Sequence, residues 1–328
     1  MSLAVYITDG EQPKLWSSEP AKPSTKCTLE YLNEGGANFV FRMVAEPGQE
    51  LPLPLKGHLL RLRKDLPHVQ SANEQVQAFN SYFKPLFDSR SVIEHHLIAI
   101  DEYFSEILDE ALKSLDREAR RLNDFLPPDE THGLLVTDMT PKEGDVLLQV
   151  KPKWLTQSPN APSNAKRCRT CALRAQRASK QIRTATDATE HCPLELISEK
   201  SEDRKKAAQN ITQDEQLRDY LTTDVQLLLQ TLRSSQKQLD PLGILGTHVD
   251  DMDAVTTLCR AMTLRDCTLF LKRSGDGIDA RLADLDLKTA EKLDRWADGE
   301  RKLISDGWYT NEEAKDIRKR EVICLLSR

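Results

Sequence analysis

"DCTLFLKRSGDGIDARLADLDLK", residues Asp266–Lys288, reads as a β-hairpin with an acid near each end. Two alternating apolar runs are joined by Ser274-Gly275-Asp276-Gly277, a sequence suited to a tight turn. With the turn centred there, the strands fold back and Asp266 and Asp284 come together at the open end of the hairpin. Two carboxylates placed in this way can divide two tasks. One accepts a proton from an attacking hydroxyl, and the other holds Mg²⁺. An ordinary hairpin flanked by acids satisfies the same pattern, so neighbouring segments must decide. Lys288 and Lys292 follow, four apart on one expected helix face, a spacing that suits phosphate.

Upstream, "LLQVKPKWLTQSPNAPSNAKRCRTCALRAQRASKQIR", Leu147–Arg183, carries nine Lys or Arg residues from Lys151 onward and no acid. Yet the chain of 328 residues has a formal net charge of -6. Lys151 and Lys153 flank Pro152, so in extended backbone they point to one side. The following segment reads as a basic helix bearing Lys166, Arg167, Arg169, Arg174, Arg177, Lys180 and Arg183. Arg167, Arg174 and Arg177 fall near one face; Arg169, Lys180 and Arg183 do not join them. Like charges at (i, i+4) repel by about 0.2–0.5 kcal/mol a pair, and a solvated helix normally intersperses acids. A run without them points to a densely phosphorylated ligand or to nucleic acid. The acidic whole argues against indiscriminate nucleic-acid binding, so the basic cluster serves something local; a merely basic surface is the plain alternative.

Composition bounds the rest. Hydrophobic residues at 39% suffice for a core, and the length suits one large domain or two coupled ones. No apolar run approaches the roughly 20 residues of a membrane helix, and the N-terminus lacks a secretory pattern. Seven scattered cysteines, an odd number, suggest a reducing compartment, nuclear or cytoplasmic.

The first third reads as strands: Lys26–Leu32, Asn38–Val44 and His58–Lys64. Between the first two lies "EGGAN", where a glycine pair lets backbone N–H groups approach an anion. A plain hairpin turn explains it equally. In "LLRLRK" alternation puts Leu60 and Leu62 on one face and Arg61 and Arg63 on the other. Arg61 can there hold phosphate oxygens, as a strand lysine does in protein kinases, or simply meet solvent. Ser91–Leu126 and Ser201–Asp240 read as helical, the second broken once; "HGLLVTDM" and "GDVLLQVKPK" return to strand. Thr184–Glu195 reads as a loop. The order, a small strand-rich part then a larger α+β part, fits a two-lobed α+β architecture among other folds.

Cys168 and Cys171 form a CxxC pair, which can be half of a zinc site. No second pair stands at the expected spacing; His191 and Cys192 are adjacent and can contribute. No βαβ context supports a redox role.

Together "EGGANFVF", "LLRLRKDL", "VKPKW", "CRTCALRA", "RDCTLFL" and "DLDLK" resemble, in order, the motifs of the inositol-pentakisphosphate 2-kinases in their fungal form. They span Glu34–Lys288. The resemblance implies a two-lobed inositol-polyphosphate-kinase fold, distantly like protein kinases, with an N-lobe over 1–138 and a C-lobe over 139–328. It implies ATP and Mg²⁺, with nucleotide held by Gly35, Gly36, Ala37, Asn38, Arg61, Asp138 and Met139. Asp266 would be the catalytic base and Asp284 the Mg²⁺ ligand. Lys151, Lys153, Lys288 and Lys292 would grip phosphates of the inositol substrate. Plant and animal members carry His-Gln where Leu173-Arg174 stand here, which leaves Arg169 and Arg174 as candidates for that contact. The zinc ligands of plant members have no clear counterpart. The implied reaction phosphorylates the 2-hydroxyl of inositol pentakisphosphate in a monomeric enzyme without membrane or nucleic-acid partners. The alternative is an inactive module that binds inositol phosphates or RNA through the basic helix, and a third reading is a kinase for another inositol phosphate or a lipid head group.

Overall fold

The computed structural model describes residues 2–8, 13–179, 191–310 and 324–327. Lys180 and Arg183 of the basic segment, and most of the expected loop after it, lie outside these. Two compact units emerge: Met1–Ser81 with Ile93–Met139, and Tyr82–Val92 with Thr140–Arg328. Their secondary structure is α+β.

The first unit is built on a closed barrel of seven strands: β1 (Ser2–Thr8), β2 (Lys14–Trp16), β3 (Ser24–Glu34), β4 (Asn38–Ala45), β5 (His58–Arg63), β6 (His95–Ile100) and β7 (His132–Thr137), in the order β1-β2-β6-β7-β5-β4-β3. Pairing of β1 with both β2 and β3 closes it. The period of two is visible in what the barrel buries: Val5 and Ile7, Cys27 and Leu29, Phe39 and Phe41, Leu60 and Leu62, Ile98 and Ile100. Helix α2 (Phe104–Lys113) adds Phe104, Leu108 and Leu112 to this core. A short helix, α1 (Ala72–Ala78), opens on a capping box between Ser71 and Glu74. Closure removes the free edges that an open sheet would expose.

The helix expected over Ser91–Leu126 is only partly realised. Its first portion is β6, which pairs with β7 from His95↔Val136 to Ala99↔His132 and in parallel with β2. The three-and-four spacing is used only in α2. The barrel claims His95–Ile100 because Ile98 and Ile100 fill it from a vacant strand position, a gain no local pattern displays. Strand β1 was likewise not anticipated.

The second unit contains a three-stranded antiparallel sheet, β8 (Val146–Val150), β9 (Thr268–Ser274) and β10 (Gly277–Ala283), with β9 central. Around it stand α3 (Arg169–Ser179), α4 (Pro193–Leu196), α5 (Ser201–Ile211), α6 (Glu215–Thr222), α7 (Gln226–Gln238), α8 (Met252–Leu264) and α9 (Leu293–Ser305). The stretch Ser201–Asp240 is therefore broken twice. One break falls before Asp214, whose side chain accepts from the Leu217 N–H and starts α6; the other is at Thr223, where the backbone leaves helical geometry. The hairpin forms as expected, Gly277↔Ser274 through Ala283↔Thr268. Val150 of β8 pairs with Leu269. Register therefore brings three chain positions to one end of the sheet: Lys151 after β8, Asp266 before β9 and Asp284 after β10.

Candidate active site

Asp266 stands just beyond α8, at the end of the sheet where the hairpin opens. Its carboxylate meets three ammonium groups: Lys288 at 2.9 Å, Lys153 at 3.1 Å and Lys151 at 3.5 Å. Lys151 also donates to the Asp266 carbonyl at 2.7 Å and lies 3.7 Å from Asp284. Thr268 donates a short hydrogen bond to Asp284. The two carboxylates thus meet through a shared lysine, as the hairpin reading requires.

Partial burial pulls the Asp266 carboxyl upward, but Lys288, Lys153 and Lys151 outweigh it and hold it well below the usual carboxylate range. Burial lowers Lys153 and Lys292, Asp266 opposing it in both cases. Cations crowded in this way gain from any anion that arrives.

Two backbone angles mark the site. Lys153 has φ 61° and Asp284 has φ 58°, the only non-glycine residues in the left-handed region among the described residues. Left-handed backbone costs an L-residue about 1–2 kcal/mol, and such strain gathers at functional sites. The expected extended geometry around Pro152 is thus corrected: Lys153 turns back sharply, which is how its ammonium and that of Lys151 both reach Asp266.

Beside Asp266 opens a cavity of about 470 Å³. Its lining holds Lys153, Arg169, Arg174, Arg177, Arg265, Lys288, Lys292 and Arg295, with Asp266 as its carboxylate. Trp154 forms part of the wall, and the guanidinium carbons of Arg265 and Arg169 lie 3.5 and 4.4 Å from its ring centre. Asp240 takes a hydrogen bond from Arg265 at 2.6 Å, and Glu300 takes one from Arg169 at 2.8 Å. Glu300 in turn accepts from Ser158 and Tyr309, both at 2.6 Å. These buried acids fix the guanidinium planes. Arg174 donates to the His191 carbonyl.

In the first unit, Gly35–Ala37 form the turn between β3 and β4, and the Gly35 N–H donates to the Asn38 carbonyl at 2.8 Å. A side chain added at Gly35 or Gly36 would meet nothing within 4 Å, so the turn is open. Glu34, just before it, is gripped by Lys64 at 2.5 Å and by Arg117 at 2.8 and 3.1 Å, while Arg121 donates to its carbonyl. Burial would raise the Glu34 carboxyl; the Arg117 and Lys64 bonds bring it down to about 2. Arg61 is buried rather than solvated and donates to Gln75 at 2.6 Å. Met139 is buried, and the Asp138 N–H donates to the Gly57 carbonyl.

The family model for inositol-pentakisphosphate 2-kinase matches residues 31–302. The chain is also 36% identical over 312 residues to the inositol-pentakisphosphate 2-kinase of Yarrowia lipolytica, across 88% of this chain and 94% of that one. The chain belongs to the inositol-pentakisphosphate 2-kinase family.

Of the residues expected from that resemblance, Asp266, Lys153, Arg169, Arg174, Lys288 and Lys292 share the cavity. Lys151 and Asp284 are not in its lining; they stand beside it, joined to Asp266. Lys288 and Lys292 do not share a helix face: Lys288 precedes a short turn of helix, Ala290–Lys292, and both still reach the cavity. Arg167 bonds the Trp308 carbonyl instead of joining Arg174 and Arg177. Arg265 and Arg295 escaped the sequence reading. Arg265 adjoins Asp266 and was open to inference; Arg295 lies on a charged helix with no distinguishing signal. The weak half-site at Cys168 and Cys171 also needs correction. Cys192 and Cys324 complete a group of four, and His191 is not part of it.

Proposed function

We propose that the chain transfers the γ-phosphoryl group of ATP to the 2-hydroxyl of inositol 1,3,4,5,6-pentakisphosphate, giving inositol hexakisphosphate. The observation that carries this reading is the cavity, whose lining holds eight cationic side chains together with the Asp266 carboxylate. Its volume falls within the roughly 300–1,000 Å³ of small-molecule sites. A ligand with five phosphates matches so dense a set of charge-assisted donors.

The low pKa of Asp266 makes it a poor base as it stands, because proton affinity is what a general base supplies. The lysines that depress it are the groups that bind substrate phosphate in this reading. As phosphates engage Lys153 and Lys288, their hold on Asp266 weakens and its proton affinity rises. Asp266 then takes the proton of the 2-hydroxyl as that oxygen bonds to the γ-phosphorus and the bond to ADP breaks. Lys151, between the two carboxylates, acts on the phosphoryl in transfer rather than on the ring phosphates. Asp284 is more than half exposed and offers hard oxygen donors suited to Mg²⁺. Bound there, the ion would neutralise charge on the nucleotide phosphates.

In the same reading the two units are the lobes of a kinase-like fold, divided near residues 138 and 139. The first supplies the nucleotide site through Gly35, Gly36, Ala37, Asn38, Arg61, Asp138 and Met139. The enzyme works as a monomer in nucleus or cytoplasm, on small molecules rather than membrane or nucleic acid.

The test is incubation with Mg-ATP and a panel of inositol phosphates, with NMR assignment of the hydroxyl that gains phosphate. Transfer to the 2-position of the pentakisphosphate is expected. Transfer elsewhere, or binding without transfer, would overturn the assignment; the second outcome would point to an inactive binding module.

A further inference from the structure

Gln236 lies in the last turn of α7 and is fully buried, whereas Gln238, two residues on, is exposed. A side-chain amide so placed is costly unless each of its polar atoms is bonded. Its oxygen accepts from the Leu155 N–H at 2.9 Å. Its nitrogen donates to the Lys153 carbonyl at 2.9 Å and to the Leu264 carbonyl at 3.1 Å. Both donors and the acceptor are thus used.

The three partners belong to the two segments that carry the site. Lys153 and Leu155 flank Trp154, and Leu264 ends α8 two residues before Asp266. One side chain therefore ties the backbone that bears the Lys153 ammonium to the backbone that bears the Asp266 carboxylate, and those two groups stand 3.1 Å apart. It also grips the left-handed residue itself, Lys153 at φ 61°. That conformation is unfavourable for a lysine and persists where its surroundings fix it. A second contact acts alongside. Trp154, next to Lys153, stacks on Arg265, next to Asp266, with the guanidinium carbon 3.5 Å from the ring centre. Arg265 is bonded in turn to Asp240, just past α7. The end of α7 thus supports the pair from behind, and Gln236 is not in the cavity lining.

We propose that Gln236 is a positioning residue for phosphoryl transfer, holding the Lys153 and Asp266 backbones at the separation that brings ammonium and carboxylate together. The proposal rests on the reading of Asp266 as the base. In that reading Lys153 meets Asp266 and then takes a substrate phosphate, and both duties need its backbone fixed before substrate arrives. A displacement of about 1 Å at a reacting centre costs about 10²-fold in rate. Gln236 acts through the backbone of Lys153, without touching substrate.

The full chain and its Gln236→Met variant, which keeps the side-chain length and loses the three hydrogen bonds, are assayed with Mg-ATP and inositol pentakisphosphate, per folded chain. The variant's kcat should fall about 10- to 100-fold. KM for the inositol substrate should rise several-fold while KM for ATP holds. A loss of stability alone would leave all three unchanged per folded chain and would overturn the proposal. The same substitution in a Lys153→Ala background tests the route. With the ammonium already gone, it should cost less than about twofold; a full, additive loss would overturn the proposal. Asp266→Asn is run beside them. If Gln236→Met turns over like wild type and Asp266→Asn does not, this inference falls alone. If Asp266→Asn also turns over like wild type, the reading beneath it falls too. Since Gln236→Met can fail to fold, the wild type is also examined by NMR. The two Gln236 side-chain N–H protons should exchange with solvent about 10³-fold or more slowly than those of a free glutamine. Exchange at the free rate would overturn the proposal.

Discussion

Asp266 takes its chemistry from the three lysines around it, and a change of one atom separates charge from shape. Asp266→Asn keeps the volume and removes both the negative charge and the basicity. Turnover is expected to fall about 10²- to 10⁴-fold, the usual range for loss of a general base. Calorimetric affinity for inositol pentakisphosphate should hold or improve, because the lysines lose a competing anion. Unchanged turnover would remove Asp266 from the reaction. Lys151→Ala should lower kcat more than it raises KM for the inositol substrate, since its ammonium faces Asp266 and Asp284 rather than the cavity. A pure KM effect would place it among the ring-phosphate contacts instead. Lys153 carries left-handed backbone. Lys153→Gly and Lys153→Ala both remove the ammonium, but only glycine relieves the angle. The glycine variant should be the more stable by about 1 kcal/mol in chemical denaturation. Equal stability would show the angle to be unstrained.

At the scale of elements, the β3–β4 turn is held from below by charge. Glu34 at the end of β3 meets Lys64 just after β5, together with Arg117 and Arg121 beyond α2, and the Lys64 ammonium lies over the Phe39 ring. Removing one partner of such a buried set leaves an uncompensated charge. The sign of the pH effect follows from a carboxyl depressed to about 2. Its contribution is present above the unfolded value, near 4.5, and is lost as pH falls toward 2. Glu34→Gln should therefore melt well below wild type at neutral pH. The gap should close as pH drops from about 4.5 to about 2. A gap that stays constant through this window would mean the carboxylate is not engaged.

For the molecule as a whole, the charge distribution is the telling property. The chain carries a formal net charge of -6, yet gathers eight cations around one cavity. Their attraction for a polyanion is screened by salt, over about 10 Å at 0.1 M. KM for the inositol substrate should rise steeply with ionic strength, and more steeply than KM for ATP. A flat response in steady-state assays would exclude the cavity as the recognition element.

How much of this was legible depends on how far apart the cooperating residues lie. The hairpin Thr268–Ala283 was readable because its turn residues sit between the strands they join. Its geometry alone carried Asp266 and Asp284 to one end, and the alternation in Leu60 and Leu62 put the right face into the barrel. The strand His95–Ile100 was not readable as such, since its character comes from β7 and β2 on either side. The sharp backbone at Lys153 left no trace in residue type, because lysine has no preference for the left-handed region; aspartate, as at Asp284, visits it more readily but is common elsewhere too.

From sequence alone came the paired acids, the basic run and the family, each a matter of residues near one another or in fixed order. Only the tertiary structure decided that the barrel closes, that Arg265 and Arg295 join the cavity, and that Cys324 meets Cys168 across 156 positions. Contacts of that span have no local signature. The entropy of closing so long a loop is offset by the packing of the whole unit, and no short window of residues displays that sum.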